Sequence, residues 1–407
     1  MTADSDATLT LLRSYLSFSK QTSDSPALNE AIQSTENSSF PGVSCATLFC
    51  GSLSLGVLSP RRVCYEVRKA KESSWGLLED PFHRAARLTS ESYDFHGHVA
   101  QEILLNGCEA APGSSSKQFW RWHGILTEYS VAYPPQTSKG NVVLVHGFGA
   151  SCMHWRRNVD ALTEAGYTVY CPSLPGYGRT QKLYMIYSQA VWKAFLTDFI
   201  ADIVRGSAVL GGNSIGAFVA AQTAALNREA VSGVVLINPA GPLDADYAPS
   251  QEEVYALENV PPSIVVDLFA QGLLFYLEKS AGRILRSVYP VRTENADDAF
   301  LNELLRASYD PNAIAVLKSV FFLKKPVPLN YLLSEMFQKP VLMLQGALDP
   351  LSDAVKKANS VQALCPNVQV DLLEAGHCSH DEVPDLVNTK MLTFLNQVHE
   401  QTPAPVC

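Results

Sequence analysis

A chain of 407 residues with 47% apolar and 17% charged side chains has the apolar mass for one large core or two modest ones, which excludes a disordered chain and a coiled coil. Its 31 basic and 40 acidic side chains leave a formal charge of −9, so it lacks the basic surplus that tracks nucleic-acid phosphates, and no nucleic-acid partner is expected. Nine cysteines, an odd number without a CxxC pair, argue against a disulfide framework and a zinc ribbon and make a reducing compartment the expected setting.

At the N-terminus there is no positive segment followed by an apolar one, and Asp4, Asp6 and Asp24 depart from the acid-poor pattern of a transit peptide, so no standard address is expected. From Gly42 to Ser59 the chain is uncharged and Arg61-Arg62 follow. Only about half of that stretch is strongly apolar, where a span needs roughly 20 apolar residues, so a buried or loosely packed segment is expected. The sequon at Asn37 reads as an accident, and Cys407 has no CaaX context. Residues 1–116 read as an irregular N-terminal extension with Ser-rich patches.

From Phe119 the pattern changes. Alternation of apolar and polar residues from Ile125 to Tyr133 predicts a strand pair. Asn141 to Val145 predicts a buried strand, Trp155 to Gly166 a helix, Tyr167 to Pro172 a strand and Ser188 to Val204 an amphipathic helix. Short apolar runs recur at Ala208–Gly211, Val231–Asn238, Val341–Gln345 and Val368–Leu373, as in parallel strands covered by helices on both faces. The alternation pauses over 241–339, a helical insertion whose apolar stretches are Ile264 to Leu277 and Val320 to Leu323. The expected division is therefore 1–116 extension, 117–240 first part of the core, 241–339 cap, 340–400 second part of the core and 401–407 tail. The cap's apolar stretches either pack its own core or wall a site for an apolar ligand.

Gly212-Asn-Ser-Ile-Gly216 lies directly after the Ala208 strand and directly before an Ala-rich helix. A G-x-S-x-G turn in that context is tight and sets the Ser214 hydroxyl at the top of the sheet. Serine is a poor nucleophile at its own pKa, so it needs a base held by a third group. His377 follows the Val368 strand and Asp349 follows the Val341 strand, giving the chain order Ser, Asp, His found with this turn. His380 competes as base, and Asp244 and Asp246 compete as acid. The loop His146-Gly-Phe-Gly149 ends another buried strand, and the amides of Phe148 and Ile215 are the expected oxyanion donors. Gly147, Gly149 and Asn213 are expected to border the bound substrate. Every group that acyl transfer needs is then present, so no cofactor and no metal are expected. His96-Gly-His98 is two ligands without a third.

From Phe119 to about Val398 the chain resembles the α/β-hydrolase superfamily, which implies a mostly parallel central sheet flanked by helices with an inserted helical cap. HGFGASCMHWRRN, LPGYGRT, GGNSIGAFVAAQ, VVLINPAG and LEAGHCSHDEVPDLVN resemble the plant and algal branch of pheophytinases and chlorophyll dephytylases. That branch usually has Pro two residues after the His of this loop, where this chain has Ser379. The resemblance implies a long apolar ester as the small-molecule substrate, such as the phytyl ester of chlorophyll-type pigments, and a plastid location; a cytoplasmic one is the alternative, and peripheral membrane contact is a further expectation. A serine at the turn argues against relatives that attack with a carboxylate. A thioesterase, a carbon–carbon bond hydrolase and a small-molecule receptor on the same fold are the other readings.

Overall fold

The computed structural model describes residues 115–248, 264–310, 312–321 and 326–401. The uncharged stretch after Gly42, Asn37, the His96 pair, residues 322–325 and Cys407 lie outside them. Of the described residues, 121–126 fall in one unit and the remainder in a second.

Eight strands form one sheet in the order β1-β2-β4-β3-β5-β6-β7-β8. They are β1 (Ser115–Trp122), β2 (Ile125–Ala132), β3 (Asn141–Val145), β4 (Thr168–Pro172), β5 (Ala208–Asn213), β6 (Val231–Ile237), β7 (Val341–Gly346) and β8 (Val368–Leu373). β2 runs antiparallel to β4, and from β4 to β8 every neighbouring pair is parallel. The central strands β4, β5 and β7 are buried at every position, as continuous apolar runs with helices on both faces require. β8 departs from that expectation: it is the edge strand, and Gln369 and Leu372 are exposed.

Helices fill the connections. α1 (Val159–Glu164) joins β3 to β4. α2 (Gln189–Phe199), continued by a π-helical turn Ile200–Val204, joins β4 to β5, and α3 (Ile215–Leu226) joins β5 to β6. Ser188 caps α2 by accepting the Val191 N–H, and Arg205 ends it in the left-handed region, close to the expected bounds. α1 starts later than expected. Cys152–Trp155 forms a separate 3-10 turn, and the buried Asn158 amide is drawn off to His380 O (2.9 Å) and Asn388 Oδ1 (2.7 Å). α3 is apolar all round and almost wholly buried, as that composition dictates.

Between β6 and β7 the chain inserts α4 (Ile264–Ser287), a 3-10 turn Thr293–Asn295, α5 (Asp298–Ser308), α6 (Ala313–Phe321) and α7 (Leu329–Tyr331). After β7 come α8 (Ala354–Leu364), α9 (Ser379–Glu382) and α10 (Pro384–Gln401). Arg156 ties the insertion to the core: it bonds Asp297 Oδ1 (2.8 Å) and Asn295 O (2.9 Å) on one side and both Asp381 oxygens (3.1 Å) on the other. Among the described residues no helix is long and apolar enough to cross a membrane.

Candidate active site

β3 has β4 on one side and β5 on the other, so chain direction across the sheet reverses there and a crevice opens at the carboxyl ends of β3 and β5. The loop Gly147–Gly149 leaves β3 at this crevice and Ser214 leaves β5. Ser214 adopts φ 55°, ψ −119°, an unusual conformation for a residue with a side chain. Its flanking glycines explain how the turn fits. A Cβ on Gly212 would stand 2.5 Å from the Ala217 nitrogen, and one on Gly216 would collide with the carbonyls of Val145 and His146. The Ser214 hydroxyl makes no hydrogen bond among the described residues, and it lines the same cavity as His377.

His377 is held from three sides. Its Nδ1 donates to Asp349 Oδ2 (2.8 Å), its backbone N–H donates to Val288 O (3.1 Å), and its carbonyl accepts the Asn213 side-chain amide (3.0 Å). Asp349 also accepts from the Asn238 amide (2.9 Å) and the Leu351 N–H (2.8 Å). Burial pushes the Asp349 carboxyl up, but the bonds from His377, Asn238 and Leu351 outweigh it and hold it below the usual carboxylate range. The competing acids stand elsewhere. Asp244 exchanges backbone bonds with the Asn330 side chain (2.9 and 2.8 Å), and its Oδ1 accepts the Asp246 N–H. His380, the competing base, is fully buried against Trp155 and His154, with neither ring nitrogen hydrogen-bonded.

His146 sets the Gly147–Gly149 loop. Its Nε2 accepts the Leu174 N–H (2.9 Å), so its proton sits on Nδ1 and is donated to Gly147 O (2.7 Å). The Phe148 N–H belongs to that same trans peptide and points the opposite way from the Gly147 carbonyl. Among the described residues neither this N–H nor that of Ile215, at the start of α3, is hydrogen-bonded. A Cβ on Gly147 would press on Ser214 Cβ at 3.3 Å, so the loop lies directly against the serine. Gly149, at φ 75°, borders the cavity with Gly147, Phe148 and Asn213.

The cavity holds about 320 Å³ and is walled largely by Leu, Ile, Val, Ala and Phe from α4, α5 and α6. No Lys or Arg is among the described residues that line it, and Glu278 is the one acidic residue there. Of the apolar stretch Ile264 to Leu277, Leu274 and Leu277 face the cavity, whereas Phe269, Phe275 and Tyr276 are exposed.

Three features escaped the sequence reading. Asn238, one residue past β6, joins Asp349 to the histidine loop: its Oδ1 accepts both the Gly346 N–H (3.2 Å) and the Ser379 hydroxyl (2.8 Å). Ser379, standing where the resembling branch has Pro, thus carries a hydrogen bond that Pro lacks. His154 lines the cavity although it is nearly buried, stacked on Phe300 at 4.6 Å between ring centroids. Tyr289 gives its proton to Asp381 (2.9 Å), an acceptor ion-paired with Arg156 and Arg157, so His154 Nε2 donates to the Tyr289 oxygen (3.3 Å). His154 Nδ1 is then a bare acceptor, and it has no partner among the described residues. Its place in the 3-10 turn Cys152–Trp155, five residues past Gly149, was the only signal for it.

Residues 142–390 match the profile of the alpha/beta hydrolase family, and the chain belongs to that family. Its fold and its relatives make it one of the catalytic members, the hydrolases and esterases. It is 32% identical over 282 residues, 67% of this chain and 92% of the other, to a 2-hydroxy-6-oxononadienedioate/2-hydroxy-6-oxononatrienedioate hydrolase of Burkholderia vietnamiensis. Against the chloroplastic pheophytinase of Arabidopsis thaliana it is 24% identical over 226 residues, 53% of this chain and 46% of that protein. Two further curated relatives are likewise matched over less than half of their own length. The solved structure of the epoxide hydrolase CorEH superposes with a TM-score of 0.56 at 19% identity, covering 70% of this chain and all of that one, a likeness of fold.

Proposed function

We propose that this chain is a serine hydrolase acting on an uncharged, largely apolar acyl compound, with Ser214 as nucleophile, His377 as base and Asp349 as the acid that orients it. The observation that carries the proposal is the His377–Asp349 pair at 2.8 Å, set on the same apolar cavity as a serine held in a strained turn. Asp349 fixes the proton of His377 on Nδ1 and leaves Nε2 to take the Ser214 proton during attack on the substrate carbonyl. The acyl oxygen becomes negative, and the unpartnered amides of Phe148 and Ile215 are the donors for it, at ~3–4 kcal/mol per donor. His377 returns the proton to the leaving group, and water repeats the sequence to release the acid.

An ester with a long apolar chain suits the lining, because burial of apolar surface contributes about 25 cal/mol per Å². The phytyl ester of a chlorophyll-type pigment, and with it a plastid location, is the finer form of this reading; the motif resemblance and the 24% match to pheophytinase support it. Carbon–carbon bond hydrolysis is the second reading, favoured by the longer and closer match to the Burkholderia vietnamiensis enzyme. A dioate carries two carboxylates, and the described lining offers no cation to either, so a neutral diketone fits this second reading better.

A fluorophosphonate should label the protein and fail to label Ser214→Ala. kcat/KM should then be compared across esters from acetate to phytyl and on a neutral vinylogous diketone. A rising ester series supports the ester reading. Cleavage of the diketone alone transfers the assignment to the carbon–carbon reaction, and labelling that persists in Ser214→Ala ends the proposal.

A further inference from the structure

Helix α4 has two unlike faces. At 3.6 residues per turn, Leu274, Leu277, Ala281 and Leu285 share one side and line the cavity. The opposite side carries Phe269, Phe275 and Tyr276, which are 60%, 62% and 57% exposed, and then Lys279, Arg283 and Arg286, all exposed. Lys279 Nζ lies 5.6 Å from the Phe275 ring centroid, so the aromatic and cationic halves of this face are continuous. Among the described residues no ion pair engages Lys279, Arg283 or Arg286. Glu278, the neighbouring acid, is turned toward the cavity, where it accepts from Ser308 (2.9 Å).

We propose that this face of α4 docks on an anionic lipid bilayer, its three aromatic rings entering the interface and its three cations meeting the headgroups. Exposed aromatics beside clustered cations on one helix are what binding in the interfacial plane requires. The cations match anionic headgroups and the rings match the interfacial zone beneath them, so one lipid surface meets both halves of this face. The whole chain, at −9, is repelled by an anionic membrane, so attraction is confined to this local face and orients the molecule on it. Docked this way, the apolar cavity lies one helix diameter, about 10 Å, from the bilayer. The docking goes beyond the proposed reaction and does not depend on it.

The test is cosedimentation of the full chain with vesicles of phosphatidylcholine alone, or with a third phosphatidylglycerol, at low and high salt. Binding should require phosphatidylglycerol and weaken with salt. Lys279→Gln, Arg283→Gln and Arg286→Gln should each weaken it about fivefold, equivalent to about 1 kcal/mol per cation near the surface, and the triple variant roughly a hundredfold. Phe269→Ser with Phe275→Ser should lower it at both salt concentrations. All five positions are exposed, so unchanged thermal melting verifies folding, and Ser214→Ala should bind like the parent, which separates this result from the fate of the hydrolase reading. The proposal is overturned if the parent ignores anionic vesicles, if the triple variant binds them equally well, or if sedimentation shows a dimer that the triple variant abolishes, since the face would then join two copies.

Discussion

Asp349 faces His377 because Asn238 and the Leu351 N–H hold its carboxylate from behind, and Asn238 in turn is held by the Gly346 N–H and the Ser379 hydroxyl. Two tiers of kinetic effect follow. Ser214→Ala and His377→Ala should each lower kcat by several decades, and Asp349→Asn by around 10⁴, because the wrong imidazole tautomer is then favoured. Asn238→Ala should lower kcat by about 10- to 100-fold with little change in KM, since a hydrogen bond to a charged group contributes about 1.5–3 kcal/mol. Full activity in the first two variants would remove the assignment. Unchanged kcat in Asn238→Ala would show that Asp349 holds its place unaided.

At the scale of elements, the histidine loop and the inserted helices share one set of anchors. Glu382 accepts the Val291 N–H (2.7 Å), the Arg292 N–H (3.2 Å) and the Gly376 N–H, and its carbonyl accepts from Asn295 (2.8 Å). Asp381 is fully buried between Arg156, Arg157 and Tyr289. The acidic pair after His380 therefore secures the end of α4 against the loop that carries His377. Arg156→Met should cost about 3 kcal/mol or more, because it leaves the buried Asp381 with less compensation. It should also raise KM for long esters more than for short ones, since the cavity wall is α4 and α5. Thermal melting and KM for a long and a short ester check this together, and a variant with unchanged melting would show that the anchor is redundant.

At the scale of the molecule, three histidines are buried and neutral among the described residues. Burial lowers His146 to about 4 and His380 to about 3, and holds His154 well below the ordinary value. As pH falls below about 6.5 the unfolded chain takes up protons that these folded imidazoles refuse, so stability falls with pH over the window from about 6.5 down toward 3–4. Each group contributes up to about 1.4 kcal/mol per pH unit there. Glu128 works the other way. Burial raises its carboxyl, so the folded state takes its proton first on acidification and offsets part of the loss. Denaturant melts at a series of pH values should show stability decreasing below about pH 6.5, with a shallower slope in His380→Phe. At neutral pH that variant should be as stable as the parent or more so, because it removes two buried nitrogens without partners. A slope identical to the parent's would contradict the assignment of His380 as neutral.

Sequence alone determined what local chemistry and period encode. Strands β3 to β7 were legible as short apolar runs, because parallel strands covered on both faces need no polar alternation. The turn at Ser214 was legible because the close approach at Gly212 and Gly216 admits only glycine. His377 and Asp349 were legible as residues just past strand ends, and the match over 142–390 accords with the superfamily they suggested. What pairs across long stretches of chain was decided only in the tertiary structure. That Asp349 and not Asp244 or Asp246 meets His377 depends on which strand ends are adjacent, and β6, β7 and β8 become neighbours only in the sheet. Asn238, Ser379, His154 and the Arg156 anchor were illegible for the same reason: each acts through partners far along the chain, and a polar residue's partner leaves no trace in its own neighbourhood. The apolar stretch of α4 shows the limit most plainly. Its composition is one continuous run, yet folding turns Leu274 and Leu277 to the cavity and Phe269, Phe275 and Tyr276 to the outside, because a helix divides its residues by angle and the fold supplies a cavity on one side only.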